Sequence, residues 1–271
     1  MPLSDRPAVT IGLDAGLITQ TCQNKAMPVA GYVLLIVFIA SLIRSTFGFG
    51  EALVAVPLLA LIVPINVAAP LAVLLSIVIA AIIVAQDWRH IHLGSSLWLL
   101  LPTFAGIPLG VLLLRSSHPF AVKAALGCII LLFSAYSLFG NSLPEVHGES
   151  RGPLLACGFL AGVMGGAYGM NGPPLVIYGA MRRWSPQHFR ATLQGYFLPA
   201  SIVGAAGFQI AGLWTHAVTH LFLISAPAAV LATLLGRVVN RRLRGDLFLK
   251  IVHACLFVVG AVLLVQAIHR T

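Results

Sequence analysis

Charge is what this chain has least of. Asp5, Asp14, Glu51, Asp87, Glu145, Glu149 and Asp246 are all of its acids, and charged residues fill only 8% of 271 positions, against about 25% in an ordinary soluble domain. Too little polarity remains to cover the exterior of a water-soluble fold of this length. Cysteine is scarce as well. Cys22, Cys128, Cys157 and Cys255 form no CxxC pair, which supports neither a disulfide framework nor a zinc site. Ser-His-Asp, HExxH and P-loop patterns are missing, so no catalytic residue, cofactor or metal is expected, and ATP-driven action would need a separate subunit. The pair His90 and His92, beside Trp88 and Arg89, reads as interfacial polarity rather than a metal site.

Hydrophobic residues make up the balance, at 59%. A membrane-crossing helix takes about 20 apolar residues, and such stretches recur along the whole chain. They run over 28–43, 52–63, 67–85, 96–114 and 120–139, then over 153–167, 172–181, 191–213, 220–239 and 248–268. The expectation is an all-α integral membrane protein, multi-pass, in a cell inner membrane. Residues 1–27 lack the basic start, apolar centre and cleavage site of a signal peptide and read as an N-terminal tail, with Pro28 starting the first helix.

The net charge of +9 does not point to nucleic acid. Its densest group, Arg237, Arg241, Arg242, Arg244 and Lys250, lies between two apolar stretches, as cytoplasmic loops do under the positive-inside rule. The four tryptophans, Trp88, Trp98, Trp184 and Trp214, fall near stretch ends, where aromatic belts form.

A polar connector, 141–152, divides the chain into a first repeat over 28–140 and a second over 153–271. The halves match in order: Phe47-Gly48-Phe49-Gly50 aligns with Tyr168-Gly169-Met170-Asn171, and Pro64-Ile65-Asn66 with Ser185-Pro186-Gln187. In each half the second stretch is too short to cross comfortably and follows a glycine-rich break. Short, interrupted segments at corresponding places in two halves point to a transporter's binding site. A polytopic bundle of two homologous halves is therefore expected, with eight to ten membrane segments and a broken or re-entrant helix in each half. Eight crossings would make the repeats parallel, and ten would make them inverted.

The breaks hold the candidate site. In the first, Arg44-Ser45-Thr46-Phe47-Gly48-Phe49-Gly50-Glu51, Gly48 and Gly50 let the backbone unwind, which is tolerated at membrane depth only against protein or a wet cavity. A helix starting there turns free N–H groups inward and can hold an anion. Glu51 is the one acid embedded in an apolar stretch. It is either a titratable group used in transport, a partner for Arg44, or a carboxylate offsetting its own helix dipole. The second break runs from Gly162 to Pro174. There Gly172 and Pro173 open a new helix, and Asn171 could cap it or reach a substrate oxygen. Arg190 and Gln194 lie four apart on one helix face, where a guanidinium could bind an oxyanion or simply snorkel.

The run Gly48-Phe49-Gly50-Glu51-Ala52-Leu53-Val54-Ala55-Val56-Pro57-Leu58-Leu59, with Pro64 and Ala68, resembles the first signature of the sulfite exporter TauE/SafE family. Gly165-Gly166-Ala167-Tyr168-Gly169-Met170-Asn171-Gly172-Pro173-Pro174, with Phe189-Arg190-Ala191-Thr192, resembles the second. The likeness spans nearly everything after Pro28. It implies a permease or exporter for sulfite, sulfonates or related organic sulfur anions, coupled to a proton or sodium ion. One departure is that many members carry a third glycine where this chain has Glu51.

The resulting expectation is a secondary transporter, not an enzyme, with a small anion and the lipid bilayer as partners and homo-oligomerisation open. The rivals are a membrane scaffold or assembly factor, and an intramembrane enzyme. The first leaves paired breaks unexplained. The second needs converging nucleophiles or metal ligands, in which the apolar stretches are poor.

Overall fold

The computed structural model describes residues 14–87, 93–116, 119–139, 151–184, 186–240 and most of 257–265. Among them the regular secondary structure is helical: α1 (Asp14–Phe47), α2 (Glu51–Ile62), α3 (Ile65–Asp87), α4 (Leu93–Ser116), α5 (Pro119–Phe139), α6 (Arg151–Tyr168), α7 (Gly172–Met181), α8 (Pro186–Ile210) and α9 (His216–Asn240). Helical backbone also covers most of 257–265. In lipid a helix satisfies its own backbone polar groups, which is why so apolar a chain folds this way.

Four helical stretches are long and apolar enough to cross a membrane, Val29–Phe47, Ile65–Gln86, Leu97–Arg115 and His216–Val238. Their outward leucines, such as Leu35, Leu101, Leu112 and Leu231, are exposed, as lipid-facing side chains are. The chain is thus an all-α, multi-pass membrane protein. One expectation about its start is corrected: α1 begins at Asp14, so Pro28 lies inside that helix rather than at its start. The connector 141–150, the loop with Trp88, His90 and His92, and the basic run 241–250 lie outside the described residues.

The packing order sets the geometry of the site. α1 lies along α9 and α4 along α6, while α3 packs on α8 and α9, and α8 on α3 and α4. Close approach is made possible by small residues. A Cβ on Gly158, Gly162 or Gly166 of α6 would strike Leu99, Thr103 or Ile107 of α4. Gly106 and Gly110 of α4 press back on Phe159 and Val163 in the same way. Gly236 of α9 sits against Ser45 of α1, and Gly127 of α5 against Gly260.

This seam corrects the extent of the second break. Gly162, Gly165 and Gly166 belong to a continuous helix, α6. Their freedom serves packing, and the chain leaves helical geometry only at Gly169, Met170 and Asn171. The two breaks then fall in step. α1 ends at Phe47 and α6 at Tyr168; α2 begins at Glu51 and α7 at Gly172; α3 begins at Ile65 and α8 at Pro186. Each pair is separated by the same stretch of chain. α2 has 12 residues and α7 has 10, about 18 Å and 15 Å at 1.5 Å per residue, half of a bilayer's hydrocarbon core.

Candidate functional site

Both breaks are built on left-handed glycines. Gly48 has φ 86° and Gly50 φ 98° in the first, and Gly169 has φ 68° in the second. Side-chain-bearing residues disfavour that region. Gly48 N–H still bonds back to the Arg44 carbonyl at 2.7 Å, and Gly169 N–H to that of Gly165 at 2.8 Å. The turn after each helix therefore begins identically.

A small cavity lies where the breaks meet. Arg44, Phe49, Gly50, Glu51, Ala52 and Leu53 line it from the first, and Gly169, Met170, Asn171 and Gly172 from the second. Ser76 of α3, Phe133 of α5 and Phe197 of α8 complete the wall. Arg44, in the last turn of α1, dominates the polar side. Its Nη1 donates to Glu51 Oε2 at 2.5 Å and to Ser76 Oγ at 2.6 Å. Its guanidinium also lies 4.7 Å from the centre of the Phe197 ring, within reach of a cation–π interaction. Ser201 of α8 donates to the same Ser76 at 3.1 Å.

Both charges are buried, with Arg44 at 3% and Glu51 at 2% exposure. A buried pair keeps its charges only when geometry and further hydrogen bonds compensate the loss of water. Here compensation is incomplete: Arg44 Nε and Nη2 and Glu51 Oε1 have no hydrogen-bond partner. The Nε–Nη2 edge of a guanidinium presents two parallel donors, a match for two oxygens of one anion. The first turn of α2 adds to it, because the N–H groups of Glu51, Ala52 and Leu53 have no intrahelical acceptor.

The second break contributes differently. Asn171 precedes α7 but makes no side-chain cap, contrary to one expectation from the sequence. A Cβ on Gly165 would collide with its side chain, so Asn171 is folded back along α6. Its Nδ2 donates to the Ala161 carbonyl at 3.2 Å and to the Tyr196 hydroxyl at 3.4 Å. Tyr196 in turn lies 2.8 Å from Thr103 Oγ1. Pro173 and Pro174 occupy the first turn of α7, and neither carries an N–H. That helix start is consequently a poor anion site beside the start of α2.

Of the residues singled out from sequence, Arg44, Gly50, Glu51, Asn171 and Gly172 share the cavity wall. Gly48 and Gln194 stand behind it: Gln194 Nε2 donates to the Gly48 carbonyl at 2.9 Å, so α8 braces the first break. Pro173 is buried beside Gly172. Arg190 lies in α8, with its side chain outside the described residues. Sequence reasoning passed over Ser76, Phe197, Tyr196 and Thr103. Ser76 had a legible signal, as the only polar residue in the stretch 67–85. The aromatic residues had none.

Comparison with known proteins gives a consistent answer. The family described as sulfite exporter TauE/SafE matches residues 33–263. A Cupriavidus necator protein described as "Probable sulfite/organosulfonate exporter TauE" is 27% identical over 154 residues, 56% of this chain and 58% of that protein. The chain thus aligns with little more than half the length of that relative. No solved structure matches.

Proposed function

Because the chain belongs to the sulfite exporter TauE/SafE family, we propose that it is an ion-coupled secondary transporter, moving sulfite, a sulfonate or a similar sulfur oxyanion across an inner membrane. One observation carries this reading. A buried guanidinium keeps two unpartnered donors at a cavity formed by two interrupted helices. A structural arginine at such depth is expected to be saturated with acceptors. One with a spare bidentate edge is suited to a ligand that comes and goes.

The proposed division of labour follows the geometry. Arg44 and the first-turn N–H groups of α2 hold the oxyanion, Gly48 and Gly50 let α2 begin there, and Gln194 braces the break. Gly172 leaves room opposite, since a Cβ there would meet nothing within 4 Å. Asn171 shapes the second wall, and Pro173 behind it fixes the first turn of α7. The matched break positions and the reciprocal packing of α1 with α9 and α4 with α6 support two homologous halves. The test is flux of radiolabelled sulfite and methanesulfonate in proteoliposomes. Saturable flux well above protein-free vesicles is expected, and no flux of either anion would overturn the assignment.

A further inference from the structure

We infer that Glu51 binds one proton together with each anion, so that the Arg44–Glu51 pair is a single loading device for an anion and a proton. This rests on the transport reading above and specifies its coupling ion.

The argument begins with charge. Empty, the site is neutral: the Arg44 cation is balanced by the Glu51 carboxylate at 2.5 Å. A monovalent anion arriving at the Nε–Nη2 edge leaves one excess negative charge among groups that water barely reaches. A low-dielectric interior strongly disfavours such an imbalance. Another cation could correct it, so the neighbours matter. α2 packs on α1, α3, α5 and α7. α1 supplies Arg44 itself, already counted. α3 turns Ser76 and α5 turns Phe133 to the cavity, and the break before α7 turns Met170 and Asn171. Among the described residues that line the cavity, Arg44 is the cation, and it is paired with Glu51.

Hydrogen bonding points the same way. Glu51 Oε2 is occupied by Arg44, whereas Oε1 is buried without a donor. An ionised Oε1 beside an incoming oxyanion sets two acceptors against each other. A proton on Oε1, taken from the water that admits the anion, converts it into a donor. The anion then meets Nε–H, Nη2–H and Oε1–H, and the three atoms lacking partners are satisfied in one event. Sodium would instead require several oxygen ligands around Glu51, and of the oxygen-bearing side chains in the wall Ser76 already accepts from Arg44 and Asn171 is folded back along α6.

The experiment uses the purified full chain in detergent, with methanesulfonate as probe because its sulfonate stays ionised throughout. Binding is followed with a pH indicator in weak buffer, between about pH 5 and about pH 9. Uptake approaching one proton per anion is expected, with affinity rising up to tenfold for each pH unit lowered, the limit for one coupled proton. E51Q, which places an amide donor near Oε1, should bind without proton uptake and with a flat pH profile. Wild-type binding with no proton uptake at any pH overturns the inference and leaves the anion site standing. Failure to bind, together with absent flux in vesicles, overturns the transport reading itself.

Discussion

The two breaks share a backbone plan and divide the chemistry. Each ends a long helix on a left-handed glycine, Gly48 or Gly169, and starts a short helix three residues later. The first break then gathers a cation, a carboxylate and a helix start with its N–H groups intact. At the second, the place matching Arg44 is Gly165, filled by the folded-back Asn171 side chain. Its helix start carries two prolines. Matching backbone with unequal side chains gives the cavity one charged wall and one neutral wall.

The sharpest way to break this comparison is to remove the charge. Arg44→Ala should lower anion flux by about 100-fold or more. It also leaves Glu51 buried without its partner, a loss of about 3–5 kcal/mol that thermal unfolding in detergent will report. Arg44→Lys should remain at least tenfold impaired, because an ammonium lacks the two-donor edge. If Asn171→Ala reduces flux as much as Arg44→Ala, the charged and neutral walls are not distinct.

A smaller effect separates the two turns. Gly169→Ala meets Val73 Cγ2 at 3.0 Å and the Ala69 carbonyl at 3.1 Å, on top of a positive φ. The left-handed strain alone is about 1–2 kcal/mol. Gly50→Ala carries that strain too, yet its Cβ touches only Ile43 at an ordinary 3.5 Å. The melting temperature should therefore fall further for Gly169→Ala, and equal falls would mean that α3 yields freely to the second break. Smallest in its effect on binding is Tyr196→Phe, which removes the hydroxyl between Thr103 and Asn171. About 1–3 kcal/mol of stability should be lost, with methanesulfonate affinity unchanged within about twofold in a binding titration.

Much of the candidate site is legible in the amino-acid sequence. The run from Gly172 to Met181 is the helix α7 to the residue, because proline and glycine punctuate chain direction locally. An Arg44–Glu51 ion pair can be weighed from the seven-residue spacing across a glycine turn. Three features resist. The start of α1 at Asp14 is hidden because its first turns are not apolar enough to stand out in hydropathy. Gly162 and Gly166 read as a break since glycine reports freedom without saying what uses it, and the facing α4 decides that use. Asn171 reads as a cap because short polar residues before a helix usually are, but Tyr196 and the Ala161 carbonyl claim its amide.

The chain by itself determined the solvent it lives in, the helical class and the places where helices are interrupted. Those properties depend on length, composition and local backbone preference, all one-dimensional. Which atoms meet was left to the tertiary fold. Ser76 completes the Arg44 pairing from α3, and Gln194 reaches the Gly48 carbonyl across 146 positions of sequence. Such contacts exist only once the helices have chosen their neighbours, through glycine seams whose partners no local pattern names.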